Sequence, residues 1–100
     1  MATTTKALVR GAFATSSATL YTVPASTTAV VTSIAVCNTS ASTQTFNILL
    51  DGVSLFDAAS IAADSTMTID LKQVLATTKV IAGHASAITV SVHISGVEIA

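Results

Sequence analysis

Residues 29–38 read AVVTSIAVCN, and their alternation limits the fold more than any other feature of the chain. The even positions Val30, Thr32, Ile34 and Val36 are branched. The odd positions Ala29, Val31, Ser33, Ala35 and Cys37 are mostly small. Successive side chains of a strand point to opposite faces of a sheet, so a period of two predicts a strand. The branched set is expected to face a core. The small, uncharged set is expected to face a second β layer or another subunit, which it lets approach closely.

The same period recurs along the chain. Residues 44–50, QTFNILL, put Phe46, Ile48 and Leu50 on one side, and Asp51-Gly52 then precedes VSLF. Asp-Gly between such runs predicts a hairpin, because a type I′ turn needs positive φ at both central residues. Residues 63–71, ADSTMTIDL, predict a turn at Asp64-Ser65 and a strand with Met67, Ile69 and Leu71 inward. Thr66, Thr68 and Asp70 would then face out. Residues 79–83, KVIAG, predict a short strand ended by Gly83, with His84 in the following turn. In residues 87–100, AITVSVHISGVEIA, Ile88, Val90, Val92 and Ile94 share a face. The parity then changes to Val97 and Ile99, which predicts a β-bulge at Ser95-Gly96. KALVRGAF and ATLYTVP supply two earlier strands, and Pro24 stops the second or places it at an edge. KQVLATT, residues 72–78, is the one segment suited to a helical turn. The sum is an all-β single domain, an antiparallel β-sandwich or jelly roll of seven or eight strands. Residues 18–100 are expected to form the sandwich, and residues 1–17 an N-terminal arm or a first strand.

Composition then asks how such a chain stays in water. No Lys, Arg, Asp or Glu lies between Arg10 and Asp51. Charged residues make up 9% of the 100 residues, against about 25% in an average domain. Thr and Ser carry the polarity instead, and they can hydrogen-bond across a subunit contact without the desolvation cost of an ion. A domain of this size is marginal alone, and association would add buried area. A net charge of −1 argues against nucleic acid and against an electrostatic membrane binder. No run approaches the ~18 apolar residues of a membrane helix. The opening MATTTKALVR has no apolar h-region, so no secretory signal is expected. The lone Cys37 excludes an internal disulfide, and synthesis in a cytoplasm fits both features.

No pattern for reaction chemistry stands out. His93 falls opposite Ile94 among Thr89, Ser91 and Ser95, as a polar outer-face residue would. Cys37 has no sequence neighbour that would lower its pKa, and no second Cys supplies zinc-site spacing. Asp51, Asp57, Asp64 and Asp70 are spread over hairpins without the dense acidic loop of an EF-hand. Asn38-Thr39-Ser40 matches a glycosylation sequon, but without a secretory signal it is read as a turn. No catalytic residue, cofactor or metal is expected, and the chain is read as non-enzymatic.

Three phrases carry a resemblance. The stretch from LYTVPASTTAVVTSIAVCNTS to NILLDGVSL, then IAADSTMTIDLKQVL and the terminal SVHISGVEI, resembles small virion proteins of tailed bacteriophages. It covers about residues 18–100. The resemblance implies a structural virion protein, made in the host bacterial cytoplasm. It favours a head decoration (cement) protein bound to the major capsid protein, commonly as a homotrimer. A tail, neck or fibre module is the main alternative, and a non-viral carbohydrate- or adhesin-type domain a lesser one. Contacts with other subunits or the shell are expected from Lys6, Leu8, Val9 and Arg10 of the arm and from Ala29, Ser33 and Ala35 of the small face.

Overall fold

The computed structural model describes residues 3–100. Eight strands follow in order: β1 (Thr3–Ala12), β2 (Ala18–Thr22), β3 (Thr28–Asn38), β4 (Gln44–Leu50), β5 (Val53–Ile61), β6 (Ser65–Leu75), β7 (Val80–Ala85) and β8 (Val90–Ile99). They build two four-stranded sheets, β1-β8-β3-β6 and β2-β7-β4-β5, and every pairing is antiparallel. Strand one thus pairs with eight, two with seven, three with six and four with five. A long hairpin rolled across two facing sheets has this order, which is the jelly-roll form of the β-sandwich.

The fold of the hairpin turns on Asp51 and Gly52. Their φ values are 53° and 76°, and Leu50 pairs directly with Val53. Both central residues therefore take the left-handed region, as a type I′ turn requires. The predicted hairpin is present at the predicted residues.

Between the sheets lies one core. Phe13, Phe46, Ile34, Ile48, Ile81 and Ile94 are its largest fully buried members, with Phe13 and Phe46 stacked at 6.1 Å between ring centroids. Phe13 and the buried Leu8 come from residues 3–17, so this stretch, expected as an arm or first strand, contributes to the same core. Residues 3–12 form β1, the edge strand beside β8, and Leu8 adds to the core from it.

The first sheet has an irregularity that alters the sequence reading. Val31 pairs with Gly96 and Ser33 with Ser95, so Thr32 is an extra residue in β3. Ala7 pairs with Ser95 and Val9 with Ile94, so Leu8 is an extra residue in β1. At the same level β6 holds both Leu71 and Lys72 opposite Thr32. The bulges thus sit on the strands beside Gly96, while β8 itself keeps its alternation through Val90, Val92, Ile94, Gly96 and Glu98. Because the period is two, one extra residue exchanges the faces. Ala29 and Val31 are 0% exposed, Thr32 is exposed and Val30 is half-buried, the reverse of the unbroken pattern. Beyond the bulge Ile34 and Val36 face the core as predicted.

Three further expectations are corrected. KQVLATT contains no helical turn, because β6 continues through Leu75 along β3 and only residues 77 and 78 turn. β7 passes through Gly83 and His84 to Ala85, which pairs with Phe46. Ile88 is 70% exposed in the turn before β8, not in the strand.

Gly96 can be nothing larger. A Cβ there would lie 2.2 Å from the Val30 carbonyl oxygen and 2.9 Å from Leu8 Cδ1, so the bulged Leu8 occupies the space that a side chain would need. At Gly11, on the same sheet, a Cβ would meet nothing within 4 Å. Gly96→Ala should therefore destabilise by about 1–3 kcal/mol through overpacking against backbone. Gly11→Ala should be neutral within about 0.5 kcal/mol. Chemical denaturation of both variants checks the pair, and equal midpoints would refute the close approach.

Candidate interaction surface

The outer face of the first sheet is set by cross-strand register. Three rows cross all four strands: Ala7–Ser95–Ser33–Asp70, Arg10–His93–Ala35–Thr68 and Ala12–Ser91–Cys37–Thr66. Among the described residues, Arg10 and Asp70 carry full charge in these rows, and Lys72 adds a third charge to the face beside the bulge. The middle of the face is floored by the half-buried Ser33, Ala35 and Cys37 and the half-buried Ser91 and Ser95. Small side chains and hydroxyls make it low and wettable without desolvated ions. Beyond the bulge the same face becomes apolar, with Val97, Val30 and Val74 in one row and Val74 68% exposed.

This placement sorts the expected contact residues. Arg10, Ser33 and Ala35 lie together on the outer face. Ala29 does not join them, because the bulge at Thr32 turns it into the core. Leu8 is also a core residue, and Val9 is half-buried against that core. Lys6 stands apart, at the rim of the sandwich with Glu98.

That rim holds a contact missed in the sequence. The Tyr21 hydroxyl of the second sheet donates to Glu98 Oε2 of the first, and Lys6 Nζ donates to Oε1 at 3.4 Å. Leu20 is an extra residue in β2 relative to β7, and the strand resumes its pairing at Tyr21 opposite Ile81. Glu98 continues the inward parity of β8, and its side chain is 15% exposed. The Tyr21 hydrogen bond holds the Glu98 carboxyl below its ordinary pKa, and Lys6 acts in the same direction against the opposing effect of burial. Burial pushes the Tyr21 phenol up, and the hydrogen bond and charge of Glu98 add to this. An acid at a core-facing strand position was the available signal, since a buried charge needs partners.

Asn38 is the second missed feature. It is fully buried, and its Nδ2 donates to the carbonyl oxygens of Ser42 (2.9 Å), Ala62 (3.2 Å) and Ile61 (3.3 Å). Its Oδ1 accepts from Ser40 N at 3.0 Å. The sequon asparagine therefore ties the β3–β4 loop to the β5–β6 corner, with its amide inside the protein. Nearby, Ser86 Oγ donates to Gln44 Oε1 at 2.6 Å and accepts from Thr45 N at 2.9 Å. Hydroxyls and amides thus close this end of the sandwich.

The remaining candidates stay dispersed. Asp51 and Asp64 sit in turns with positive φ, Asp57 accepts from Asn47 Nδ2 at 3.0 Å, and Asp70 lies on the outer face. No three His, Cys, Asp or Glu side chains among the described residues group as metal ligands. His93 is exposed opposite Arg10, and Cys37 is half-buried on the outer face. His84 lies in β7 opposite Asn47, with its Nδ1 buried and without a hydrogen-bond partner. No pocket opens on the described surface, and none of the helices required for a membrane crossing by helix is present among the described residues. No protein-family model matches the chain, and no curated protein sequence matches it.

The rim contact gives a pH dependence. A depressed carboxyl pKa contributes stability that is present above the ordinary value and is lost as pH falls through the folded value. Glu98→Gln should thus lower the melting temperature at neutral pH, and the difference from wild type should shrink below about pH 4. Tyr21, with its raised pKa, should make wild-type stability fall as pH rises past about 10. Melting curves across pH check both limbs. A Glu98→Gln difference that grows in acid would contradict the assignment.

Proposed function

We propose that the protein is a non-enzymatic structural component of a tailed-bacteriophage virion, a decoration protein that binds the major capsid shell as a homo-oligomer. The observation that carries this reading is the outer face of the first sheet. It is low, rich in Ser, Thr and Ala, and among the described residues has only Arg10, Asp70 and Lys72 as full charges. Such a surface can lie closely against a protein lattice and form hydrogen bonds without stripping water from many ions. The resemblance of residues 18–100 to small virion proteins supports the same reading, as does the Asn38 end of the sandwich, which neutral side chains close. The protein would be made in the host cytoplasm and act in the particle, with no cofactor.

Co-sedimentation with particles lacking the protein tests it. Binding should change less than about twofold between low salt and ~0.5 M NaCl, because screening acts on charges and this face has few. Release by moderate salt alone would contradict a contact of this kind. Copy number per particle decides the location: a number that follows the major capsid subunits supports the head, and a number that follows the tail supports a tail, neck or fibre module instead.

A further inference from the structure

The four free edges of the sandwich differ in their capacity to accept another strand. β2 has five residues, and Pro24 follows it closely. β5 shifts register against β4 twice, and Ala58 within it has φ 50°. Bulges and short length are devices that blunt an edge. β1 is long, but Lys6 and Arg10 stand on either side of Leu8. Antiparallel pairing of two β1 strands about Leu8 would set Lys6 against Arg10 of the second copy, and like charges directly opposite repel.

β6 is the exception. It has eleven residues, Pro and Gly are absent from it, and its burial alternates from Ser65 to Lys72, after which Gln73 and Val74 are both exposed before the buried Leu75. Residues 67–75, MTIDLKQVL, are complementary to their own reverse about Leu71. We propose that β6 is a self-pairing edge: two copies of the chain join β6 to β6 antiparallel about a two-fold axis at Leu71. Facing residues in such a ladder lie on the same side of the sheet. On the outer side Asp70 then faces Lys72 of the second copy, twice by symmetry, and the exposed Val74 faces Thr68. On the inner side Leu71 faces its own copy, Ile69 faces Gln73, and Met67 faces Leu75. Met67 and Leu71 are half-buried beside the core within one chain, so the second copy gives them apolar neighbours.

The unpaired backbone of β6 supplies the ladder, and the charges fix its register. Shifting the axis to residue 70 would set Asp70 against itself. The bulge between β3 and β6 does not prevent pairing, because β6 keeps its own alternation through Leu71 and Lys72. The two first sheets would become one sheet of eight strands, with their outer faces continuous. The inference is independent of the virion reading: a protein that pairs but does not bind particles, or binds particles as a monomer, separates the two.

Sedimentation equilibrium of the full chain tests the proposal. The wild type should be in a reversible monomer–dimer equilibrium. Asp70→Lys, which puts two ammonium groups opposite each other, should raise the dissociation constant at least about tenfold. The double variant Asp70→Lys/Lys72→Asp, which restores opposite charges, should return it to within about threefold of wild type. Both side chains are exposed, so the melting temperature of the monomer should be unchanged. In a Cys37→Ser background, Leu71→Cys should give a disulfide-linked dimer on mild oxidation, since the two positions face each other at the axis. A wild type that stays monomeric at high micromolar concentration, a trimer, equal dissociation constants for wild type and Asp70→Lys, or no Leu71→Cys cross-link would each overturn it.

Discussion

The close approach of Gly96 to the Val30 carbonyl governs which residues are inside the first sheet. At that level β1 and β3 each hold one residue more than β8. The extra residue in β1 is Leu8, and it fills the space beside Gly96 that a side chain would have taken. The extra residue in β3 is Thr32, and it turns Ala29 and Val31 inward while leaving Ile34 and Val36 inward beyond it. In a structure of period two, no smaller change could make both halves of an eleven-residue strand face the core. The bulge also settles the surface. It leaves Ser33, Ala35 and Cys37 on the outer face with Arg10 and His93, and it removes Ala29 from them.

Side-chain hydrogen bonds hold both ends of this sandwich together. Asn38 lies at a core-facing position of β3, and its amide is satisfied by three carbonyls and one backbone N–H. Replacing such a group would leave those partners unpaired in a buried place, which typically costs about 1–3 kcal/mol. At the opposite end, Tyr21 of the second sheet and Glu98 and Lys6 of the first connect the two sheets. The forty residues without charge between Arg10 and Asp51 are therefore sustained by hydroxyl, amide and backbone bonds, and one of the few acids is used inside. The same economy of charge on the outer face underlies the proposed lattice contact.

Local signals were legible in the sequence, and non-local ones were not. Asp51-Gly52 announced its turn because the requirement for positive φ is local to those two residues. Alternation announced the strands and, with their spacing, the antiparallel sandwich. The bulge was sensed at Ser95-Gly96 but belongs to Leu8 and Thr32, because the glycine marks where neighbours come close rather than where residues are added. Gly83 suggested a strand end for the same mistaken reason; the strand continues because β4 pairs with it as far as Ala85. KQVLATT looked helical only in isolation, and pairing with β3 decides it as strand through Leu75. Of the surface, Ser33 and Ala35 were legible from parity beyond the bulge. Tyr21 with Glu98 was not, since seventy-seven residues separate them and only the rolled topology brings them together.

The bulge at Thr32 decides the faces of β3, and thiol labelling of the native protein tests it directly. Single cysteines would be placed at positions 29 and 32 by Ala29→Cys and Thr32→Cys, each in a Cys37→Ser background. Unbroken alternation puts residue 32 in the core and residue 29 outside, whereas the bulge reverses both. Thr32→Cys should label rapidly under native conditions, and Ala29→Cys only on unfolding. Rapid labelling of Ala29→Cys with protection of Thr32→Cys would contradict the bulge.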